Sequence, residues 1–88
     1  MDGNNMVPVK LYTADWCKWC TEAKRMLQAS GISYEEIDVD TTPDAKTYLK
    51  KCGVRTIPFV ECYNKQGDLV LRGGTPELER YISQNVET

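Results

Sequence analysis

The hydrophobic and polar positions of this chain alternate between two spacings, one typical of β-strands and one typical of α-helices. Residues 7–12 are rich in β-formers and predict a first strand, with Pro8 near its start, where a missing N–H is tolerated. Apolar residues then recur at helical spacing from Lys18 to Ala29, and Gly31 follows where a helix would be capped. The apolar residues of this first helix are Trp19, Ala23, Met26 and Leu27.

A second strand and a second helix are predicted in the middle of the chain. Residues 32–39 alternate enough to form a strand, which we expect to run parallel to the first through a right-handed crossover. Thr42 and Pro43 supply an N-cap and a first helical residue, and we expect the helix to end at Gly53. Its inward-facing stripe is Ala45, Tyr48, Leu49 and Cys52.

The remaining segments predict a β-hairpin followed by a third helix. Residues 57–63 and 69–71 are the two strands, joined by a turn at residues 64–68. The third helix follows Gly73 and Gly74, with Thr75 as its cap and Pro76 as its first residue. Its residues expected to face inward are Leu78, Tyr81 and Ile82.

The element order βαβαββα predicts an α/β fold with a four-stranded mixed sheet flanked by three helices. We expect residues 1–88 to form a single domain, with residues 1–6 frayed, because 88 residues are too few for a second core.

Composition and net charge give no support to a nucleic-acid-binding or membrane protein. With 41% hydrophobic and 27% charged residues and a net charge of −2, the chain gives no reason to propose nucleic acid or an anionic membrane as a partner. The N-terminal residues lack the cationic and apolar regions of a signal peptide, and no run approaches the roughly 18 apolar residues of a membrane span. We therefore expect a cytoplasmic protein, and a monomer.

Two cysteines, Cys17 and Cys20, stand at the junction between the first strand and the first helix. Unpaired backbone N–H groups and the positive end of the macrodipole favour a thiolate at a helix start, so we expect Cys17 to be the nucleophile, with Lys18 adding positive potential. Cys20 lies one helical turn further on, at a Cα separation of about 5 to 6 Å that suits a disulfide. This spacing indicates a redox-active dithiol.

Other uses of the four cysteines are less consistent with the sequence. A secreted disulfide scaffold is disfavoured because no signal peptide precedes them. Structural zinc requires a second close pair, whereas Cys52 and Cys62 are ten positions apart and the chain has no histidine, so we expect no metal site. We expect Cys52 and Cys62 to be buried small hydrophobic residues rather than regulatory thiols.

Several motifs together resemble the thioredoxin superfamily and, within it, the glutaredoxins. They are Tyr12 and Thr13 before the cysteines, Ala23, Lys24, Leu27 and Gly31 after them, residues 34–40 (YEEIDVD), residues 53–58 (GVRTIP), and the glycine pair 73–74. The resemblance covers about residues 7–84 and implies a thioredoxin-like fold and a dithiol thiol–disulfide oxidoreductase. It also implies that Pro58 is cis and that its loop lies against the dithiol.

The resemblance further implies a groove for glutathione or a disulfide substrate. Its residues are Lys18, Trp19, Arg55, Thr56, Ile57, Pro58, Gly73, Gly74 and Thr75. Within it, Arg55 is either a solvated loop residue or a partner for a carboxylate, and the glycine pair is a turn, an approach to a ligand carboxylate, or both. Trp16 and Trp19 are either core residues or an exposed apolar collar around the dithiol.

The electron source has two candidates. The resemblance implies glutathione as the reductant and no tightly bound cofactor, yet Ala14 replaces a lysine that many glutaredoxins carry, and Lys18 and Trp19 replace Pro-Tyr. Pro76 and Glu77 are closer to glutaredoxin-like donors to ribonucleotide reductase, which accept electrons from thioredoxin reductase. The expected partners are thus glutathione, disulfide-containing proteins such as ribonucleotide reductase, and thioredoxin reductase. An iron–sulfur cluster bridged by Cys17 and glutathione, or a redox sensor without turnover, are alternatives.

Overall fold

The computed structural model describes residues 8–64 and 66–85. Its strands are β1 (Val9–Thr13), β2 (Tyr34–Asp38), β3 (Phe59–Tyr63) and β4 (Leu69–Gly73). Its helices are α1 (Lys18–Ala29), α2 (Pro43–Lys51) and α3 (Thr75–Asn85). The predicted order βαβαββα is confirmed, whereas the expected fraying of residues 1–6 lies outside the described residues. None of the described helices is long and apolar enough to cross a membrane.

The four strands form one mixed sheet in the order β2-β1-β3-β4. β1 is parallel to β2 and antiparallel to β3, and β3 and β4 form the predicted antiparallel hairpin. Because strand side chains alternate between faces, Val9 and Leu11 join a core cluster with Leu27 of α1 and Leu78 of α3. The opposite face of the sheet packs Tyr12 and its neighbours against α2.

Glycines with positive φ end α1 and α2. Gly31 (φ 70°) lets the Ile32 N–H bond to the Leu27 carbonyl at 3.1 Å, and Gly53 (φ 76°) allows the equivalent bond from Val54 to Leu49 at 2.9 Å. Both are Schellman-type ends, in which only glycine reverses the chain without steric cost. The second reversal matters for function because it directs residues 54–58 back towards the start of α1.

The structure differs from the sequence predictions mainly at element ends. β3 begins at Phe59 rather than at residue 57, because its pairing with β1 starts at Phe59, opposite Tyr12. β4 extends to Gly73, and α3 begins at Thr75, so Gly74 rather than Thr75 occupies the cap position. Thr42 does precede α2, but its hydroxyl makes no capping hydrogen bond.

Of four residues predicted to be in the core, the structure buries one completely. Trp19 points outward from α1, and Cys20 takes the buried place beside Ala23. Tyr48 is exposed and Cys52 is half-buried, so neither belongs to the core as predicted. The prediction for Cys62 is confirmed: the residue is fully buried, and burial raises the pKa of its thiol to about 11.

A buried carboxylate on β3 was not predicted. Glu61 is 2% exposed and accepts hydrogen bonds from the hydroxyls of Tyr12 (3.2 Å), Tyr63 (3.3 Å) and Tyr48. Burial, and then the negative charge of Glu61, raise the pKa of Tyr12 above its usual range. Since Tyr48 belongs to α2, this cluster ties α2 to the centre of the sheet.

Candidate active site

Cys17 immediately precedes α1 and occupies its N-cap position in an extended conformation. Its Sγ accepts a hydrogen bond from the Cys20 N–H at 3.2 Å, and its own N–H donates to the Ala14 carbonyl at 3.0 Å. A backbone donor aimed at the sulfur stabilises negative charge there, as an N-cap oxygen is stabilised in other helices. The predicted position of Cys17 at the helix start is confirmed.

Cys20 is held differently from Cys17, although both are free thiols in this structure. Cys17 is 7% exposed and Cys20 is 1% exposed, so Cys17 is the sulfur nearer to solution. Burial, and then the hydrogen bond with Cys17, raise the pKa of Cys20 to about 12, against smaller opposing effects of the Ala14 backbone and of Lys24. Cys20 is therefore a neutral thiol at physiological pH, as suits the second of two reacting sulfurs.

Lys24, one turn beyond Cys20, belongs to a network of polar side chains. Its ammonium pairs with Glu36 of β2 at 3.1 Å, and the buried Thr13 hydroxyl donates to the same carboxylate at 2.9 Å. Although burial on its own raises the pKa of Glu36, these two hydrogen bonds outweigh it, and the net shift is downward. The bond to Glu36 raises the pKa of Lys24, which keeps this cation charged near Cys20.

The loop before β3 lies against the nucleophile. Cys17 Sγ is 3.7 Å from the Ile57 carbonyl oxygen, close enough for its S–H to donate a weak hydrogen bond. The peptide bond from Ile57 to Pro58 is cis, in agreement with what the resemblance implies. Thus residues 40 positions apart in sequence form one reaction centre, with backbone polar groups facing the sulfur.

Two cavities flank this loop, one on each side of Ile57. The first, here called the α3 cavity, has a volume of about 270 Å³. Its lining residues are Trp19, Thr56, Ile57, Pro58, Gly74, Thr75 and Pro76. Six of the nine residues predicted to bind substrate are therefore brought together here, whereas Lys18 is exposed on the first turn of α1 and lines neither cavity.

The second cavity, here called the α2 cavity, has a volume of about 430 Å³ and includes Arg55. Its remaining lining residues are Trp16, Val39, Lys46, Leu49, Lys50, Val54, Thr56 and Ile57. Arg55 thus lies across the loop from the glycine pair, on the opposite side of Ile57. Thr56 and Ile57 line both cavities.

The N-terminus of α3, predicted to receive a ligand carboxylate, already holds one from the chain itself. Glu77 Oε1 accepts the Gly74 N–H at 2.9 Å, and the Glu77 side chain fills the space beside Gly73, where an added Cβ would lie 2.5 Å from Glu77 Cγ. Pro76 has no N–H to offer. The assignment of Gly73, Gly74 and Thr75 to substrate binding stays a prediction.

Glu77 was recognised in the sequence only as part of the Pro76–Glu77 pair, and its capping role was missed, although the spacing indicates that role. It stands three residues after the cap position, where a glutamate bonds back to the cap N–H. In a capping box the N-cap residue is usually a serine or threonine. Because the N-cap residue here is Gly74, the sequence does not match that motif.

Trp16 and Trp19 are exposed by 72% and 62%, so neither is a core residue, and their role as a collar around the dithiol stays a prediction. Trp16 is also fixed in place, since its indole N–H donates to Asp40 Oδ2 at 2.9 Å. The other oxygen of Asp40 pairs with Lys46 at 3.4 Å. Sequence reasoning missed these contacts, which join the segment before α1 to α2 and hold one wall of the α2 cavity.

Comparison with known proteins identifies the family. The glutaredoxin family model matches residues 9–65, a segment that holds both cysteines and the cis-proline loop. The chain belongs to the glutaredoxin family. A glutaredoxin of Pseudomonas aeruginosa is 41% identical over 56 residues, which are 62% of this chain and 67% of that protein. The glutaredoxin-like protein NrdH of Salmonella typhimurium is 33% identical over 70 residues, 80% of this chain and 82% of its own.

A solved structure supports the same assignment. The glutaredoxin-like NrdH-redoxin of Escherichia coli, described as having a thioredoxin-like activity profile, superposes with a TM-score of 0.72 at 25% identity, covering 91% of this chain and 96% of its own. The fold is thus thioredoxin-like, as predicted, and the protein is a glutaredoxin-like thiol oxidoreductase. Among the described residues, no group of three or more metal-ligating side chains could hold a metal ion.

Proposed function

We propose that this glutaredoxin reduces protein disulfides through Cys17 and Cys20 in two exchange steps. The Cys17 thiolate attacks one sulfur of the substrate disulfide, forms a mixed disulfide and releases the first substrate thiol. Cys20, after losing its proton, attacks Cys17 Sγ and releases the second thiol. The substrate gains two electrons and two protons, and the protein is left with a Cys17–Cys20 disulfide.

The observation that carries this proposal is the environment of Cys17 Sγ. The sulfur stands at a helix start, accepts the Cys20 N–H at 3.2 Å and faces the Ile57 carbonyl at 3.7 Å. Such an electropositive, partly accessible position is typical of reactive cysteines rather than of structural ones. The deeper Cys20, one turn away, is suitably placed to attack the mixed disulfide.

The likeness to NrdH redoxins supports ribonucleotide reductase as one protein substrate, as the Pro76–Glu77 pair also implies. An iron–sulfur cluster shared by two protomers, held by Cys17 and glutathione, has no such support and stays an alternative.

We propose glutathione as a weak reductant of the resulting disulfide. Arg55 is exposed and makes no salt bridge within residues 8–64 and 66–85, so it is available to a carboxylate. At α3, by contrast, a glutathione carboxylate has to compete with Glu77 for the Gly74 N–H. A charge-assisted hydrogen bond is worth roughly 1.5 to 3 kcal/mol, so losing one weakens binding about tenfold or more. Thioredoxin reductase is the second candidate, favoured by the thioredoxin-like activity profile of the E. coli NrdH-redoxin.

The test compares the two reductants side by side in NADPH-coupled assays, with glutathione plus glutathione reductase in one and thioredoxin reductase in the other. We expect measurable glutathione-dependent turnover with a high apparent KM. Glu77→Ala should lower that KM about tenfold, because it removes the competing carboxylate, and Arg55→Ala should raise it. Glu79→Ala, an exposed glutamate on the same helix, is the matched control and should leave KM unchanged.

If the wild-type protein and its Glu77→Ala variant are both reduced only by thioredoxin reductase, then glutathione is not the reductant. The proposal of a thioredoxin-reductase-dependent donor then replaces it.

A further inference from the structure

The α2 cavity differs in chemistry from the α3 cavity. Its floor is aliphatic, formed by Val39, Leu49 and Val54, and its wall is the ring of Trp16. Its rim carries the three cations Lys46, Lys50 and Arg55. No acidic side chain is among its lining residues in the described part of the chain. At about 430 Å³, its volume lies within the range of ordinary ligand pockets.

Two of these cations have no acidic partner among the residues that the structure describes. Lys46 pairs with Asp40 at 3.4 Å, whereas Lys50 and Arg55 form no salt bridge with any residue in 8–64 or 66–85. Uncompensated charges of one sign at the mouth of an apolar cavity attract the opposite charge. The cavity is therefore complementary to a carboxylate.

The α2 cavity also opens onto the reaction centre. Ile57 lines it, and the Ile57 carbonyl oxygen is 3.7 Å from Cys17 Sγ. Because Thr56 and Ile57 line both cavities, a polypeptide that brings a disulfide to Cys17 has to lie across these two residues. Side chains on one side of its half-cystine then reach the α3 cavity, and those on the other side reach the α2 cavity.

The apolar floor and the Trp16 wall indicate that a ligand of this cavity carries an apolar group next to its carboxylate. The aliphatic side chains of the floor gain from apolar contact, and the Trp16 ring, 72% exposed, is held by its hydrogen bond to Asp40. A small inorganic anion would leave these surfaces uncovered. A peptide segment that combines an acidic with an aliphatic side chain satisfies both the rim and the floor.

We propose that the α2 cavity binds an acidic segment beside the half-cystine of a protein substrate, so that this glutaredoxin selects acidic disulfide segments over neutral or basic ones. The carboxylate meets Lys50 and Arg55, and the adjoining aliphatic side chain packs on Leu49 and Val54. This inference rests on the proposed function, since it names the class of protein disulfide that the same dithiol reduces.

The experiment uses the fully reduced protein in stoichiometric amounts, so its result does not depend on the electron source. Three synthetic disulfide peptides are compared, identical except for an acidic, a neutral or a basic residue next to the cysteine. Samples are quenched in acid, and the rate constants are obtained by mass spectrometry. We expect the acidic peptide to react about tenfold faster than the neutral one, with the basic peptide slowest.

Charge-reversal variants locate the effect. Lys50→Glu should abolish the preference for the acidic peptide or invert it. The matched control is Lys51→Glu, which makes the same charge change at an exposed neighbouring position that does not line the cavity, and it should keep the preference. Both lysines are on the surface of α2, so neither change disturbs the core.

Equal rates for the three peptides, with reduction intact, would overturn the inference and leave the proposed function standing. A loss of preference as large in Lys51→Glu as in Lys50→Glu would mean general charge attraction and would also overturn it. Glutathione disulfide is measured as a fourth substrate. If Lys50→Glu changes the rate with glutathione disulfide and with none of the peptides, the cavity belongs to glutathione and the inference is also overturned. If no peptide is reduced at all, the proposed function itself fails.

Discussion

Cys20 and Cys17 are separated by one helical turn, yet they lie in different environments. The main reason for the raised pKa of Cys20, about 12, is burial, and its hydrogen bond with Cys17 adds to it. The thiolate fraction of such a group is very small near pH 7 and rises tenfold with each pH unit below its pKa. In the proposed mechanism, the proton therefore stays on Cys20 until Cys17 is joined to the substrate.

This difference predicts a pH dependence for Cys20. In a Cys17→Ser variant, alkylation of Cys20 by iodoacetamide should accelerate about tenfold per pH unit between about pH 7 and about pH 10, because only the thiolate reacts. Peptide mapping by mass spectrometry separates Cys20 from Cys52 and Cys62. A rate that levels off below about pH 9 would show that the pKa is not raised in this way.

At the residue scale, the sequence was informative where the chemistry is local. The dithiol and its flanking tryptophans lie within five consecutive residues, so their spacing alone predicts the nucleophile at a helix start. Glu61 was missed because its partners Tyr12 and Tyr48 are distant in sequence and contact it only after β1, β3 and α2 have packed together. For the same reason, Asp40 gave no sign that it joins Trp16 to Lys46.

At the scale of elements, helix ends were predicted better than strand ends. Gly31 and Gly53 mark the ends of α1 and α2 because a positive φ favours glycine. Strand ends depend on pairing with a neighbour, which explains why β4 extends to Gly73, opposite Val60 of β3. No local pattern reports such pairing.

The start of α3 provides a prediction about stability. Gly74 has no side chain to cap the helix, so Glu77 supplies the cap by accepting the Gly74 N–H. Glu77→Ala should lower the free energy of unfolding by about 1 kcal/mol, the usual value of a helix cap. Urea denaturation followed by circular dichroism measures it, with Glu79→Ala as the control expected to change stability by less than about 0.5 kcal/mol. Equal effects of the two variants would contradict a capping role for Glu77.

At the scale of the whole molecule, the fold places one nucleophile between two cavities of different character. The sheet brings the loop at Ile57 to the start of α1, while the Glu61 cluster and the Asp40 bridge fix α2 beside it. Hydrophobic periodicity predicted this architecture, because it specifies which faces are buried. The charge of the α2 cavity was not predicted, because no local pattern indicates that Lys46 and Lys50 of α2 lie beside Arg55 in the folded chain.

The central claim is that Cys17 attacks the substrate and Cys20 resolves the mixed disulfide, and trapping of that intermediate tests it most directly. Both variants, Cys17→Ser and Cys20→Ser, are prepared with Cys52→Ser, because Cys52 is half-buried and a source of background. After exposure to a disulfide substrate, mass spectrometry should find a stable adduct on Cys17 in the Cys20→Ser protein and no reduction by the Cys17→Ser protein. An adduct mainly on Cys20 in the Cys17→Ser protein, with none on Cys17 in the other, would reverse the two roles.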